Sequence, residues 1–197
     1  MFITLEGGEG AGKSTQARLL AEALAEAGRA VLLTREPGGA PGAEALRGML
    51  LGGVIRWCAT AEAYLHFAAR AEHLVRTVLP ALEAGMVVVC DRFADSTLAY
   101  QGYGQGADMG LIRALTALLP RQPDLTLMLH VSPAVAAIRM AGRGQRLDRY
   151  EVMDAGFHAR VAAGFAAIEA EAPERCRGVD ADGTPDEVHA AIMAALA

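Results

Sequence analysis

Hydrophobic residues along this chain follow two alternating rhythms. FITLE, RAVLLT, MVVVCDR and DLTLMLHVS are short runs, apolar almost throughout, and read as strands buried on both faces. RCRGVDA is a weaker fifth run of the same kind. Between them, KSTQARLLAEALAEAG, GAEALRGMLLGG, CATAEAYLHFAARAEHLVRTVLPALEAG, DMGLIRALTALLP, SPAVAAIRMAG, VMDAGFHARVAAGFAAIEAEAP and TPDEVHAAIMAALA carry apolar residues at helical spacing. Gly28 stands where a C-cap glycine belongs, and Ser132-Pro133 has the pattern of an N-cap followed by a first-turn proline. DSTLAYQGYGQGAD starts helical and dissolves into glycines, and AGRGQRLDR breaks the pattern with glycine and charge. Buried strands alternating with helices predict an α/β fold: one domain, residues 1–197, with a five-stranded parallel sheet flanked by helices.

Composition narrows the class. The chain has 197 residues, 53% apolar and 21% charged, which is globular. A net charge of -5 argues against a broad basic face for nucleic acid. Cys58, Cys90 and Cys176 are scattered, which suggests neither a disulfide framework nor a zinc site and fits a reducing compartment. No apolar run approaches the roughly 18 residues that span a membrane, and MFITLEGG has no basic signal-peptide start, so a cytoplasmic location is expected.

Charge also singles out one residue. The chain holds 18 basic residues, and Lys13 alone among them is a lysine. It lies in GGEGAGKS, Gly7 to Ser14, which matches G-x-x-x-x-G-K-[ST] between a predicted strand and a predicted helix. Glycines let backbone N–H groups turn toward a phosphate, and the helix N-terminus adds its positive dipole end. The candidate nucleotide-binding set is Gly7, Gly8, Glu9, Gly10, Ala11, Gly12, Lys13, Ser14 and Thr15. Lys13 is expected on the β- and γ-phosphates of a nucleoside triphosphate and Ser14 on Mg²⁺.

A GTPase switch needs an N/T-K-x-D motif, which a chain with its one lysine in the phosphate loop lacks. DADG (180–183) matches D-x-x-G but follows the last predicted strand. A small-molecule kinase is the best class, with a non-catalytic nucleotide switch as the rival. Asp91-Arg92 ends the third strand, where ligands of open α/β sheets bind. Arg92 there can clamp an acceptor phosphate, and Asp91 can hold Mg²⁺ through water. An acceptor phosphate has a second pKa of about 6, so no general base is required.

TREPGG (34–39), FAAR (67–70), DRFADSTLAYQG (91–102) and RGQRLDR (143–149) occur in the order and spacing of the thymidylate kinase family, with EGGEGAGKST as a similar phosphate loop. The chain resembles that family along its whole length. The resemblance implies a P-loop fold, transfer of the γ-phosphoryl of ATP to dTMP, and a homodimer. It implies that Glu9 pairs with Arg92 near the acceptor's 3′-hydroxyl and that Glu36 and Pro37 lie against the base, with Arg35 and Arg47 as lesser candidates. Arg70 is assigned to the acceptor, and Thr97 and Gln101 to the thymine edge, after Ser96. Tyr100 is assigned beneath the sugar, and Arg139 to the adenine beside DADGT. At the position of the usual stacking phenylalanine the chain has His66, next to Phe67, which keeps a kinase for another nucleoside monophosphate open. Gln105 replaces a usual arginine. The phosphate loop has no arginine, so a lid at about residues 142–150 is expected to supply one, Arg143 first and then Arg149.

Overall fold

The computed structural model describes residues 1–53, 55–142 and 149–196. Among them, β1 (Phe2–Gly7), β2 (Val31–Arg35), β3 (Val87–Asp91), β4 (Leu125–His130) and β5 (Cys176–Asp180) form one parallel sheet in the order β2-β3-β1-β4-β5. β1 is buried at every position, the polar Thr4 and Glu6 included. Its side chains alternate between the two faces. Ile3 and Leu5 pack with α1 (Lys13–Glu26) and α9 (Pro185–Leu196) through Leu20, Val188 and Ile192. Phe2 points the other way, against Val88, Cys90 and Phe93. Each such side chain contributes about 1.5–3 kcal/mol on burial. β4 sends Met128 to that second face, where Phe157 and Phe165 of α8 (Ala155–Glu171) cover it. These layers are the expected three-layer α/β architecture.

α2 (Pro41–Leu51), α3 (Ala59–His73), α4 (Leu79–Glu83), α5 (Ala94–Thr97), α6 (Met109–Ala117) and α7 (Pro133–Gly142) complete the helices named here. The long helix expected from CATAEAYLHF to ALEAG is continuous, but its turns widen to π form at Leu74–Val78. Pro80 follows in α4 and cannot donate a helical hydrogen bond, which accounts for the irregularity there. A second π stretch, Leu98–Gly104, runs on from α5. It ends at Gly104 as expected, with Gly106 in the left-handed region at φ 78°, and Gly104 is a packing position as well. A Cβ on Gly104 would sit 2.6 Å from the Phe157 ring, and one on Gly164 would sit 2.8 Å from Tyr103. The π stretch and α8 can approach closely only because both positions are glycine.

Register places the site. Leu5 pairs with Asp91, so the loop leaving β1 starts beside the end of β3.

Candidate active site

The Gly7–Ser14 loop is shaped by close contacts as well as by backbone freedom. Gly10 and Gly12 have φ of 74° and 85°, the left-handed region that glycine tolerates best. A Cβ on Gly10 would also lie 2.8 Å from the Ala136 backbone of α7. Gly8 has open space, and Ala11 lies in the core. Lys13 is 6% exposed and donates from Nζ to the Gly8 carbonyl at 2.6 Å. Burial, with Arg92 nearby, lowers its pKa to about 8. Ser14 and Thr15, at the start of α1, are exposed.

Ser14 Oγ donates to Asp91 Oδ2 across the gap between the loop and β3. Asp91 Oδ1 is buried and has no hydrogen-bond partner among the described residues. A hydroxyl beside a carboxylate with one unsatisfied oxygen is a donor set that fits Mg²⁺, which commonly takes one or two carboxylates plus water and substrate phosphate.

Arg92 follows with φ 70°, outside the strand region, which turns its side chain back over the loop. Its guanidinium donates to Gly7 O at 3.3 Å, Ser96 Oγ at 3.2 Å, Glu9 Oε1 at 2.7 Å and Tyr100 Oη at 3.2 Å. Burial works against this charge. Glu9, Tyr100 and Asp91 outweigh it and hold the pKa well above its ordinary value. Tyr100 also donates to Glu9 Oε1 at 2.7 Å. Behind them Glu6, fully buried, accepts from the Phe93 amide at 2.7 Å and from Ser96 Oγ at 2.5 Å. Burial and the neighbouring Asp95 push its carboxyl up to about 7.

A cavity of about 380 Å³ opens beside Arg92. Its walls bring together most of the expected acceptor residues: Glu9, Glu36, Pro37, Arg47, His66, Arg70, Ser96, Thr97, Tyr100 and Gln101, with Arg35 at the edge. Arg70 is 2% exposed and donates to Glu36 Oε2 at 2.7 Å, Phe93 O at 2.9 Å and Thr97 Oγ1 at 3.1 Å. Its other terminal nitrogen, NH1, has no partner among the described residues. Glu36 in turn meets His73 Nδ1 at 2.9 Å, and His73 Nε2 meets Thr34 Oγ1 at 2.8 Å. Arg47 donates to Pro37 O at 2.7 Å. Burial, with Arg70 and Arg92 nearby, lowers the His66 pKa to about 3, so its ring is neutral at pH 7. Phe67 belongs to the core beneath the Arg70 guanidinium, 4.8 Å from ring centroid to Cζ. Tyr64 is 50% exposed.

Arg139 of α7 donates to Gly10 O at 3.3 Å, Ala181 O at 2.7 Å and Gly183 O at 2.6 Å, tying the phosphate loop to DADGT. Arg149 reaches the buried Glu62. Arg143 lies outside the described residues.

Sequence reasoning missed Glu6, Glu62, His73 and Tyr150. Periodicity held a signal for two of them. Glu62 and His73 lie four residues before His66 and three after Arg70, on the buried face of α3.

A phosphate loop beside a second cavity with its own buried arginines suits transfer between two nucleotides, the work of a P-loop kinase with a small-molecule acceptor. Comparison with known proteins narrows the class. Residues 5–192 match the family model described as "Thymidylate kinase". A thymidylate kinase of Gluconobacter oxydans (strain 621H) is 55% identical over 200 residues, spanning 100% of this chain and 94% of that protein. One from Rhizorhabdus wittichii is 52% identical over 200 residues, spanning 100% and 96%. The crystal structure of thymidylate kinase from Ehrlichia chaffeensis has a TM-score of 0.82 at 36% identity, covering 100% of this chain and 98% of that one. The chain belongs to the thymidylate kinase family. That family membership makes it an ATP- and Mg²⁺-dependent nucleoside monophosphate kinase with dTMP as acceptor. No helix among the described residues is long and apolar enough to cross a membrane.

Proposed function

We propose that the residues gathered around Arg92 carry the transfer from ATP to dTMP. The observation that supports this best is the Arg92–Glu9–Tyr100 cluster, which links the phosphate loop to the acceptor cavity. Arg92 clamps the dTMP phosphate with its planar fork. Glu9 holds Arg92 and lies near the 3′-hydroxyl, and Tyr100 underlies the sugar. Arg70, His66, Thr97 and Gln101 surround the base, with Glu36, Pro37, Phe67 and Arg47 behind them. Ser96 fixes Arg92 from the side.

An ionised oxygen of the dTMP phosphate attacks the γ-phosphorus of ATP. The bond to the β–γ bridging oxygen breaks, and ADP leaves. Lys13 neutralises the β- and γ-oxygens alongside the amides of the loop, and Arg139 borders the adenine. Ser14 and Asp91 would hold Mg²⁺, which supplies further neutralisation of the charge on the β- and γ-phosphates. Arg143, in a lid at about residues 142–150, delivers a guanidinium to the transferring group, with Arg149 as the second candidate. The chain works as one domain, as a homodimer in the cytoplasm.

Coupled ADP-release assays with dTMP, dUMP, dCMP, dGMP, AMP and UMP test this assignment. Preference for dTMP is expected. Preference for a base other than thymine would overturn it.

A further inference from the structure

Glu62 is 0% exposed and lies on the cavity side of α3, one turn before His66 and two before Arg70. A carboxylate stripped of water costs several kcal/mol unless its charge and lone pairs are met. Here Tyr150 Oη donates to Oε1 at 2.5 Å, Gln101 Nε2 at 2.8 Å and Gln105 Nε2 at 2.9 Å. Arg149 lies 2.9 Å from Oε2, close enough for an ion pair but without hydrogen-bond alignment.

An ionised carboxylate can only accept hydrogen bonds, and that fixes the direction of every bond around it. Tyr150 gives its proton to Glu62, so its oxygen accepts from Gln101 Nε2 at 3.1 Å and from His66 Nε2 at 3.1 Å. Gln101 Nε2 is thereby turned toward Glu62 and Tyr150, which accept from it together. No hydrogen bond to Gln101 Oε1 is present among the described residues, and Gln101 lines the acceptor cavity.

We propose that Glu62 is a positioning residue for selection of the acceptor base. It turns the Gln101 amide so that the carbonyl oxygen is what Gln101 offers to the ligand. A carbonyl there suits a pyrimidine with a donating N3–H and is mismatched to one whose N3 accepts. The inference rests on the proposed contact between Gln101 and the base.

The test compares kcat/KM for dTMP with that for 5-methyl-dCMP, which keeps the methyl group and differs at N3 and C4. Glu62→Gln lets the Gln101 amide rotate. The dTMP to 5-methyl-dCMP ratio is expected to narrow at least tenfold, as an unmet buried donor or acceptor implies. Glu62→Asp keeps an acceptor-only group and should return the ratio toward wild type even where both rates drop. A merely structural role would lower both substrates together, and an unchanged ratio in Glu62→Gln overturns the proposal. If Glu62→Gln does not fold by circular dichroism, Glu62→Met removes the same acceptor and carries the same expectation. Gln101→Ala separates the two layers. If it leaves the ratio intact, the base contact fails and the inference with it. If it narrows the ratio while Glu62→Gln does not, the positioning role alone is wrong.

Discussion

Glu9 and Arg92 meet at 2.7 Å although 83 residues separate them in the chain. One belongs to the Gly7–Ser14 loop and the other follows β3, so a single ion pair ties that loop to the strand end beside the cavity. Arg92 makes four donations from one planar group, which a lysine ammonium cannot reproduce. Arg92→Lys should lower kcat/KM for dTMP by about 100-fold and change KM for ATP by less than about threefold. Equal losses on both substrates would contradict an acceptor-side role.

Lys13 gives the site an alkaline limit. With its pKa near 8 in the free protein, the side chain is largely neutral by pH 9. ATP phosphates favour the charged form, so ATP binding at pH 8.5 should take up a proton. Calorimetry in buffers of different ionisation enthalpy measures that uptake, and zero uptake would rule out the depressed value. The stability effect has a definite sign. The unfolded chain binds the proton more tightly between pH 8 and 10.5, so the contribution from Lys13 is present above pH 10.5 and lost as pH falls to about 8.

Glu6 acts in the opposite sense. Its carboxyl keeps a proton to about pH 7, against an ordinary value of 4.5. The stability this group contributes is full below about pH 4.5 and lost as pH rises to 7. Glu6→Gln should flatten the loss of unfolding free energy between pH 5 and pH 8 by up to about 3 kcal/mol, read from urea melts. Identical slopes in wild type and variant would refute the shift.

Arg70 and Glu36 form a buried ion pair, at 2% and 3% side-chain exposure. Arg70→Met leaves the Glu36 charge without its guanidinium and should cost about 3–5 kcal/mol in thermal or urea unfolding. The double variant Arg70→Met, Glu36→Gln should recover much of that stability without recovering dTMP affinity. Recovery of both together would make Arg70 a purely structural residue.

Arg143→Ala should lower kcat by about 10³ while the dTMP dissociation constant stays within about threefold. An unchanged kcat would move the lid role to Arg149.

Contiguous features were the legible ones. The phosphate loop announces itself because its glycines, Lys13 and Ser14 are neighbours in sequence, and the strands do so because Val87, Val88 and Val89 allow little else. Arg92 was legible from its place at the end of a predicted strand, Arg70 and Gln101 only through a family pattern, and all three line one cavity. Glu6 and Glu62 escaped notice because their meaning depends on distant partners. Glu6 reads as the end of an apolar strand until Phe93 and Ser96 are seen to cap it. Glu62 reads as a solvated helix acid until Tyr150, 88 residues away, closes over it. The π stretches were equally hidden, since helical periodicity does not separate a π turn from an α turn over so few residues.

The replacement of every basic residue but one by arginine leaves the chain with a single ε-amine. That amine is buried, has a lowered pKa and belongs to a residue that lines the cavity. An acylating nucleotide analogue would therefore have one side-chain amine to modify. Its stoichiometry on intact-mass spectra, and its suppression by ADP, would count occupied donor sites directly without engineering any tag into the enzyme.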